Sequence, residues 1–200
     1  MKIVFATGNK DKVKEIREIL ADISDDIVSM KEAGIQCDIV EDGKTFEENA
    51  LIKARTISEH TDAIVLADDS GLEIDYLNGE PGIYSARYAG EDTPYSIKNQ
   101  MILDRMKEAK GTERSARFVC AIAAIVPQED GTKKEFVARG NFEGEIAIKS
   151  AGSNGFGYDP IFYVPECGCT SAELTSQQKN EMSHRGKALR MMREILQKEV

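Results

Sequence analysis

The chain has 200 residues, of which 41% are hydrophobic and 30% charged, and its formal net charge is −9 at pH 7. This length and composition are typical of one globular domain, or of one domain with two lobes. The acidic balance argues against a nucleic-acid partner held by a general basic surface, while local basic pockets for phosphate remain possible. No apolar run reaches the length of a membrane span, and the N-terminal apolar stretch is too short for a signal peptide, so we expect no membrane contact and a cytoplasmic location.

The N-terminus predicts a strand followed by a turn and a helix. Residues 2–6 form an apolar strand pattern, and a helix is expected from Lys10 to about Leu20. At such a junction the free backbone N–H groups and the positive end of the helix dipole point at one spot, which is a natural place for an anion. Taken alone, the motif fits a plain strand-to-helix turn at least as well. The candidate phosphate-binding residues here are Thr7, Gly8, Asn9, Lys10, Asp11 and Lys12.

A second strand is predicted at 35–40, ending in an acidic turn that begins with Glu41. Thr45 and Glu48 then have the spacing of a capping box, which predicts a helix to about Ser58. Lys53 lies on the apolar stripe of that helix, where a lysine needs a carboxylate, a phosphate or a route to solvent. A lysine that extends along the surface to water and a lysine that faces a phosphate site both remain open.

The central feature is an apolar run, 63–67, that ends in Asp68-Asp69-Ser70-Gly71. The run predicts a buried strand, and the four residues after it predict a turn. Two adjacent acids in partial burial repel each other, and a proton or a divalent cation relieves that repulsion. Solvated acids in an ordinary turn are the alternative.

The second half of the chain predicts further strands around one more helix. Thr93 and Pro94 are expected to open that helix, which runs to about Ala109 with an apolar stripe of Ile97, Met101 and Met106. An ordered loop is expected at 83–90, and strands are expected at 117–126, 136–139 and 141–148. Strands alternating with helices early and antiparallel strands later predict an α/β fold, with a mixed central sheet, helices around it and two lobes.

A loop rich in glycine and aromatic residues follows, and then a basic segment. Phe156, Gly157, Tyr158 and Asp159 could hold a flat ring, although a tight turn packed on the core is equally open. Lys179, His184 and Arg185 precede a final helix with Leu189, Met192, Ile195 and Leu196 on one face. Positive charge is unfavourable at a helix start, so a negative group is expected nearby; a solvated surface charge run is the alternative.

Acids for a cation, basic elements for phosphates and a loop for a ring together indicate a nucleoside triphosphate with magnesium. At this point the chain resembles the inosine triphosphate pyrophosphatases, also called XTP/dITP diphosphatases, over nearly its whole length. The resemblance is carried by six ordered motifs, which are TGNKDK at 7–12, TFEENA at 45–50 with KAR at 53–55, ADDSGL at 67–72, PGIYSARY at 81–88, FGYDPIF at 156–162 and SHRG at 183–186.

The resemblance implies Mg²⁺-dependent hydrolysis of ITP, dITP and XTP between the α and β phosphates, giving a nucleoside monophosphate and pyrophosphate and so cleansing the nucleotide pool. It implies an elongated single domain over 1–200 with a cleft between two lobes, and a homodimer. Carried over, Asp69 is the general base and a magnesium ligand, Glu41 is a second ligand, and Ser70 holds phosphate with 7–12. The resemblance places 156–159, Lys179, His184 and Arg185 around the nucleotide and its base.

Lys53 joins Asp69 as a catalytic candidate, and Asp68 joins Glu41 and Asp69 as a metal candidate. The family often has two acids before the Gly43 turn, whereas position 40 here is Val40, which weakens the assignment of the metal ligands.

Two alternative functions stay open from the residues alone. One is a phosphatase or phosphotransferase with an aspartyl nucleophile, and the other is a nucleotide-binding module without turnover.

Overall fold

The computed structural model describes residues 2–7 and 10–199. The strands in this part of the chain are β1 (Lys2–Phe5), β2 (Asp26–Ser29), β3 (Ile64–Ile74), β4 (Ser115–Pro127), β5 (Lys133–Ile146), β6 (Phe162–Val164) and β7 (Cys169–Thr170). The α-helices there are α1 (Lys10–Ile19), α2 (Phe46–Ser58), α3 (Tyr95–Arg105), α4 (Ser176–Met182) and α5 (His184–Glu199). Across the described residues, no helix is both long enough and apolar enough to cross a membrane.

The seven strands form one mixed sheet in the order β2-β1-β3-β4-β5-β6-β7. β1 pairs in parallel with both β2 and β3, so that Val4 lies opposite Val28 on one side and Val65 on the other. β6 pairs antiparallel with β5 and with β7. The predicted α/β class with a mixed central sheet is therefore confirmed.

The chain divides into two compact units. The first unit comprises 1–69, 120–140 and 184–200, and the second comprises 70–119 and 141–183. The first has a core that includes Phe5, Ile16, Leu66, Ile122 and Leu189. The second has its own core, which includes Leu72, Ile102, Phe118, Ile161 and Phe162. A single domain over 1–200 and a cleft between lobes stay predictions.

The second strand is not where the sequence predicts it. Residues 35–40 form no strand, and the partner of β1 is β2 instead. Glu32 stabilises the end of β2. Its carboxylate accepts hydrogen bonds from the backbone N–H and the hydroxyl of Ser29 at 2.7 and 2.9 Å. Burial alternates along 35–40 as in a strand, but these residues pair with no strand among the described residues.

The expected turn at 68–71 is also wrong, because β3 runs straight through it to Ile74. Asp, Ser and Gly favour turns, but Leu72 and Ile74 beyond them are fully buried in the core of the second unit. Burial of those side chains outweighs the local turn preference. The two carboxylates therefore lie inside a strand, where successive side chains point to opposite faces.

Four smaller differences concern the bounds of helix α3, its buried stripe, the start of helix α5 and the extent of strand β5. α3 begins after Pro94 without a side-chain cap and ends at Arg105, while the Thr93 hydroxyl donates to the carbonyl of Ala89 instead. Ile97 and Met101 are exposed, so the buried stripe of that region runs through Ile102 and Met106. α5 starts at His184, inside the predicted interruption, and β5 is one strand where two were expected.

Candidate active site

Helix α2 has the predicted capping residue at its start and a buried apolar face. Thr45 caps the helix, and its hydroxyl accepts the backbone N–H of Glu48 at 3.1 Å as predicted. The Glu48 carboxylate accepts the backbone N–H of Lys44 at 2.6 Å, whereas a capping box would have it accept the N–H of Thr45. The predicted apolar stripe, which is Phe46, Ala50, Ala54 and Ile57, is buried and fixes the helix against the core.

From this helix Lys53 reaches the two carboxylates that flank it. Its Nζ lies 2.9 Å from Oε2 of Glu41 and 3.7 Å from Oδ1 of Asp69. Asn49, one turn earlier, donates from Nδ2 to Oδ2 of Asp69 at 3.1 Å. These four residues form an acid–lysine centre, defined here as Glu41, Asn49, Lys53 and Asp69.

Asp68 belongs to a different, more deeply buried network. Its side chain is 1% exposed, and Oδ2 lies 2.9 Å from Nζ of Lys12 and 3.5 Å from Nε of Arg185. Arg185 is 5% exposed and also contacts Glu15 at 3.0 Å. The negative group expected near the basic start of α5 is therefore present. The alternation of β3 thus places one acid in this network and its neighbour in the acid–lysine centre.

The two adjacent acids differ in their pKa values. Burial alone would raise the pKa of Asp68, but the charges of Lys12, Arg185 and Lys53 outweigh it and hold that pKa well below its usual range. Burial raises the pKa of Asp69, and the opposing influence of Lys53 and Asn49 does not cancel it. Asp68 is thus a fixed negative charge, and Asp69 is the carboxylate with the greater affinity for a proton.

Lys53 itself stays protonated. Desolvation would lower its pKa, but the charges of Asp68, Asp69 and Glu41 and the hydrogen bond to Glu41 raise it. A lysine on this stripe needs a carboxylate, a phosphate or a route to solvent, and the structure shows carboxylates beside it. The centre therefore offers a basic carboxylate next to a fixed positive charge, which is a combination suited to handling a proton beside an anionic group.

In the second unit, Asp159 organises the glycine-aromatic loop. Its carboxylate accepts the backbone N–H of Phe156 and the hydroxyl of Ser171, both at 2.8 Å, and lies 2.5 Å from Nζ of Lys179. A Cβ at Gly155 would collide with this carboxylate, and Gly155 has a φ of +72°. The acid before the proline therefore shapes the loop from within.

The two aromatic side chains of the loop have different surroundings. Phe156 is 47% exposed, and Nζ of Lys179 lies 4.9 Å from the centre of its ring. Tyr158 is buried, donates its hydroxyl to the carbonyl of Ser85 at 2.7 Å and packs edge-on against Tyr95. Only the Phe156 ring of this pair is open enough to stack on a planar ligand, while Tyr158 is a packing residue.

The predicted site residues fall into two groups. Those in the first unit are Lys12, Glu41, Lys53, Asp68, Asp69 and Arg185, with Thr7 and His184 buried near the ends of β1 and α5. Those in the second unit are Ser70, Phe156, Gly157, Tyr158, Asp159 and Lys179. Gly8 and Asn9, and the side chains of Lys10 and Asp11, lie outside the described residues.

Two expected groupings are not preformed. Lys179 pairs with Asp159, whereas Arg185 contacts Asp68 and Glu15, so these two basic residues are paired with different acids. In the part of the chain that the structure describes, no three His, Cys, Asp or Glu side chains are grouped as a metal site. Any cation would therefore need ligands besides these carboxylates.

Sequence reasoning missed several polar residues that hold the site. In the first unit these are Asn49 and Glu15, and in the second unit they are Ser171, Tyr95 and Asn99, whose Nδ2 donates to the carbonyl of Gly157 at 3.1 Å. Asn49 had a usable signal, since it precedes Lys53 by four residues and so shares its face of α2. The others become visible only through contacts distant in sequence.

The mixed sheet and the acid–lysine centre, which Asp69 of strand β3 forms with Asn49 and Lys53 of helix α2 and with Glu41, define an α/β protein with a charged, partly buried site. The comparisons with known proteins identify the family. A model of the Ham1 family matches residues 3–195, and the chain belongs to this family.

Curated relatives share about half of their residues with this chain. The "dITP/XTP pyrophosphatase" of Photorhabdus laumondii is 51% identical, covering 98% of both chains. The protein of the same name from Clostridium perfringens is 49% identical, covering 98% of this chain and 97% of the relative. Among solved structures, the Ham1 protein of Staphylococcus aureus matches with a TM-score of 0.89 at 40% identity over 100% of both chains. A HAM1 protein from Coxiella burnetii gives 0.89 at 43% identity over 99% of both chains.

Proposed function

We propose that this chain hydrolyses deaminated purine nucleoside triphosphates, namely dITP, XTP and ITP, to nucleoside monophosphate and pyrophosphate. The observation that carries the proposal is the acid–lysine centre, where a carboxylate of raised pKa, Asp69, lies beside the protonated Lys53 and Glu41. Membership in the Ham1 family and the names of the relatives at 49–51% identity support the same reaction and the same substrates.

In this reaction Asp69 accepts a proton from a water molecule whose oxygen attacks the α phosphorus. The new P–O bond replaces the bond to the bridging oxygen between the α and β phosphates, and pyrophosphate leaves with those electrons. Asn49 donates to the Asp69 carboxylate and so holds the base in place, and Lys53 supplies a positive charge close to the negative charge that develops. No covalent enzyme intermediate is needed.

Magnesium is the cofactor that we propose. Mg²⁺ usually keeps several waters and binds one or two carboxylates together with substrate phosphates, so a preformed group of three protein ligands is not required. Glu41 and Asp69 fit that pattern, because both carboxylates flank Lys53 and their side chains keep 34% and 13% of their surface exposed. Asp68, engaged by Lys12 and Arg185, serves this site as a fixed charge more readily than as a ligand. When bound, the ion would neutralise phosphate charge.

Substrate recognition is divided between the phosphates and the base. We assign the phosphates to 7–12 and Ser70, of which Lys12 is the described side chain that carries positive charge. The exposed face of Phe156 is the stacking surface for the base, with Lys179 beside it as a donor. Donors that match a 6-oxo group would be left unpaired against the amino group of adenine, which disfavours ATP. A single domain with a cleft, a homodimer and a cytoplasmic location complete the proposal.

A product assay tests this function. The protein is incubated with Mg²⁺ and, separately, with dITP, XTP, ITP, ATP and GTP, and pyrophosphate and orthophosphate are measured directly. Pyrophosphate from the first three with little from ATP and GTP is the expected result. Orthophosphate without pyrophosphate would refute cleavage between the α and β phosphates and favour the aspartyl-phosphate alternative, while tight binding without either product would favour a binding module.

A further inference from the structure

Asn49 uses both ends of its side-chain amide inside the acid–lysine centre. Its Nδ2 donates to Oδ2 of Asp69 at 3.1 Å, and its Oδ1 accepts the backbone N–H of Gly43 at 2.9 Å. The residue is 1% exposed, although it is polar and lies on a helix. A buried amide that satisfies one donor and one acceptor on separate segments is tied to both of them.

We propose that Asn49 is a positioning residue, which fixes the orientation of the Asp69 carboxylate and locks residues 41–43, the acidic turn predicted from the sequence, against helix α2. This inference rests on the proposed function, since it assigns to Asn49 the task of aiming the base. Nothing in the proposed chemistry requires Asn49 to touch substrate. Its effect passes entirely through Asp69 and through the turn that carries Glu41.

The contacts determine which way round the amide lies. If the amide were reversed, its oxygen would face the carboxylate of Asp69 and its NH₂ group would face the N–H of Gly43, and both hydrogen bonds would become repulsive. An aspartate at position 49 would have the same defect on one side, because it has no donor for Asp69. A leucine of similar volume would fill the space and make neither bond.

Gly43 is adapted to the same arrangement. A Cβ built on Gly43 would lie 2.6 Å from Oδ1 of Asn49, closer than real Cβ atoms come. The absence of a side chain therefore lets the backbone of the turn approach the amide. Lys53, one turn further along α2, contacts Glu41 of the same turn and Asp69 as well. Helix α2 thus holds the turn and the base by two side chains, one neutral and one charged.

The expected consequence is a loss of turnover more than of substrate affinity. Asn49 holds Oδ2 of Asp69, so its removal lets the carboxylate rotate away from the direction of attack. A misplacement of about 1 Å in reacting geometry can cost about 100-fold in rate. We expect kcat of Asn49→Leu and Asn49→Asp to fall about 10- to 100-fold, with KM within about threefold of the wild type.

The matched control is Thr45→Ala, which removes the cap of the same helix without touching the acids. It should lower the melting temperature by a few degrees and leave kcat within about twofold of the wild type. Steady-state kinetics by pyrophosphate release from dITP are measured for the three variants and for Asp69→Asn. If kcat of both Asn49 variants stays within threefold of the wild type while Asp69→Asn is inactive, the positioning role is refuted.

A second measurement does not depend on turnover. The backbone amide of Gly43 should exchange with solvent deuterium faster in Asn49→Leu than in the wild type, and at the wild-type rate in Thr45→Ala. Unchanged exchange in Asn49→Leu would refute the lock on the turn even if kcat falls. A wild-type chain that releases no pyrophosphate would instead refute the proposed function, and with it the aiming of the base, whatever the exchange shows at Gly43.

Discussion

Replacing either of the two adjacent carboxylates on β3 by asparagine should have different consequences. Asp68→Asn should lower the stability of the fold, and Asp69→Asn should abolish turnover. Asp68→Asn removes the charge that Lys12 and the buried Arg185 contact at 2.9 and 3.5 Å. Breaking a buried ion pair by removing one partner costs about 3–5 kcal/mol, because the other charge stays buried without compensation. Arg185 keeps Glu15 at 3.0 Å, so we expect the lower end of that range, about 3 kcal/mol. For a chain of this size the melting temperature should fall by about 6–12 °C.

Asp69→Asn should leave stability nearly unchanged and abolish turnover. Burial raises the pKa of Asp69. At pH values above that pKa, ionising this carboxylate therefore costs the folded state free energy. A neutral amide of the same shape avoids that cost, and Lys53 keeps Glu41 as its partner at 2.9 Å. We expect a stability change within about 1 kcal/mol, and pyrophosphate release below detection, because an amide cannot act as the base.

Both variants are measured by thermal and urea unfolding at pH 7 and by pyrophosphate release from dITP. Asp22→Asn is the control, since Asp22 pairs with Arg193 at a partly exposed surface site, where an ion pair contributes about 0–1 kcal/mol. A melting temperature of Asp68→Asn within about 3 °C of the wild type would refute the reasoning on the buried network. An equal loss of stability in Asp69→Asn would refute the different environments assigned to the two acids.

Three further predictions test other parts of the structure. Lys53→Ala should lower turnover about 10²- to 10³-fold while costing less stability than Asp68→Asn; a large drop in melting temperature with turnover intact would contradict a catalytic lysine. Phe156→Ala should raise KM by about 5- to 150-fold, the equivalent of about 1–3 kcal/mol for one stacked base, with a smaller effect on kcat; an unchanged KM would contradict stacking. Glu32 has its pKa lowered from 4.5 to about 2 by hydrogen bonds from Ser29, so its stabilisation is present above pH 4.5 and is lost as the pH falls towards 2. The melting-temperature difference between Glu32→Gln and the wild type should shrink over that window, and a constant difference would place the cause elsewhere.

The local patterns that the structure confirms are those in which side-chain chemistry and burial agree. The capped start of α2 is one example, because Thr45 and the apolar stripe that includes Ala50 and Ile57 indicate the same helix. β4 is another, since a strand was predicted at 117–126 and this apolar run is buried along both faces. In these elements local preference and tertiary packing favour the same conformation, so a pattern in the sequence was sufficient.

The differences arise where contacts between distant residues override local preference. Residues 68–71 favour a turn, but buried Leu72 and Ile74 keep the chain extended through them. A second strand was predicted at 35–40, but β1 pairs with β2 at 26–29. The pattern of residue types along one segment does not determine which segments pair in the sheet, because pairing depends on contacts between distant residues.

The sequence by itself determined the α/β class of the fold and the family, because these depend on residue type and order. Only the tertiary structure decided what each carboxylate does. β3 carries Asp68 into a buried network with Arg185 and Asp69 into contact with Asn49 and Lys53. Two identical side chains, adjacent in sequence, differ in proton affinity because the opposite faces of a strand meet different charges and different degrees of burial.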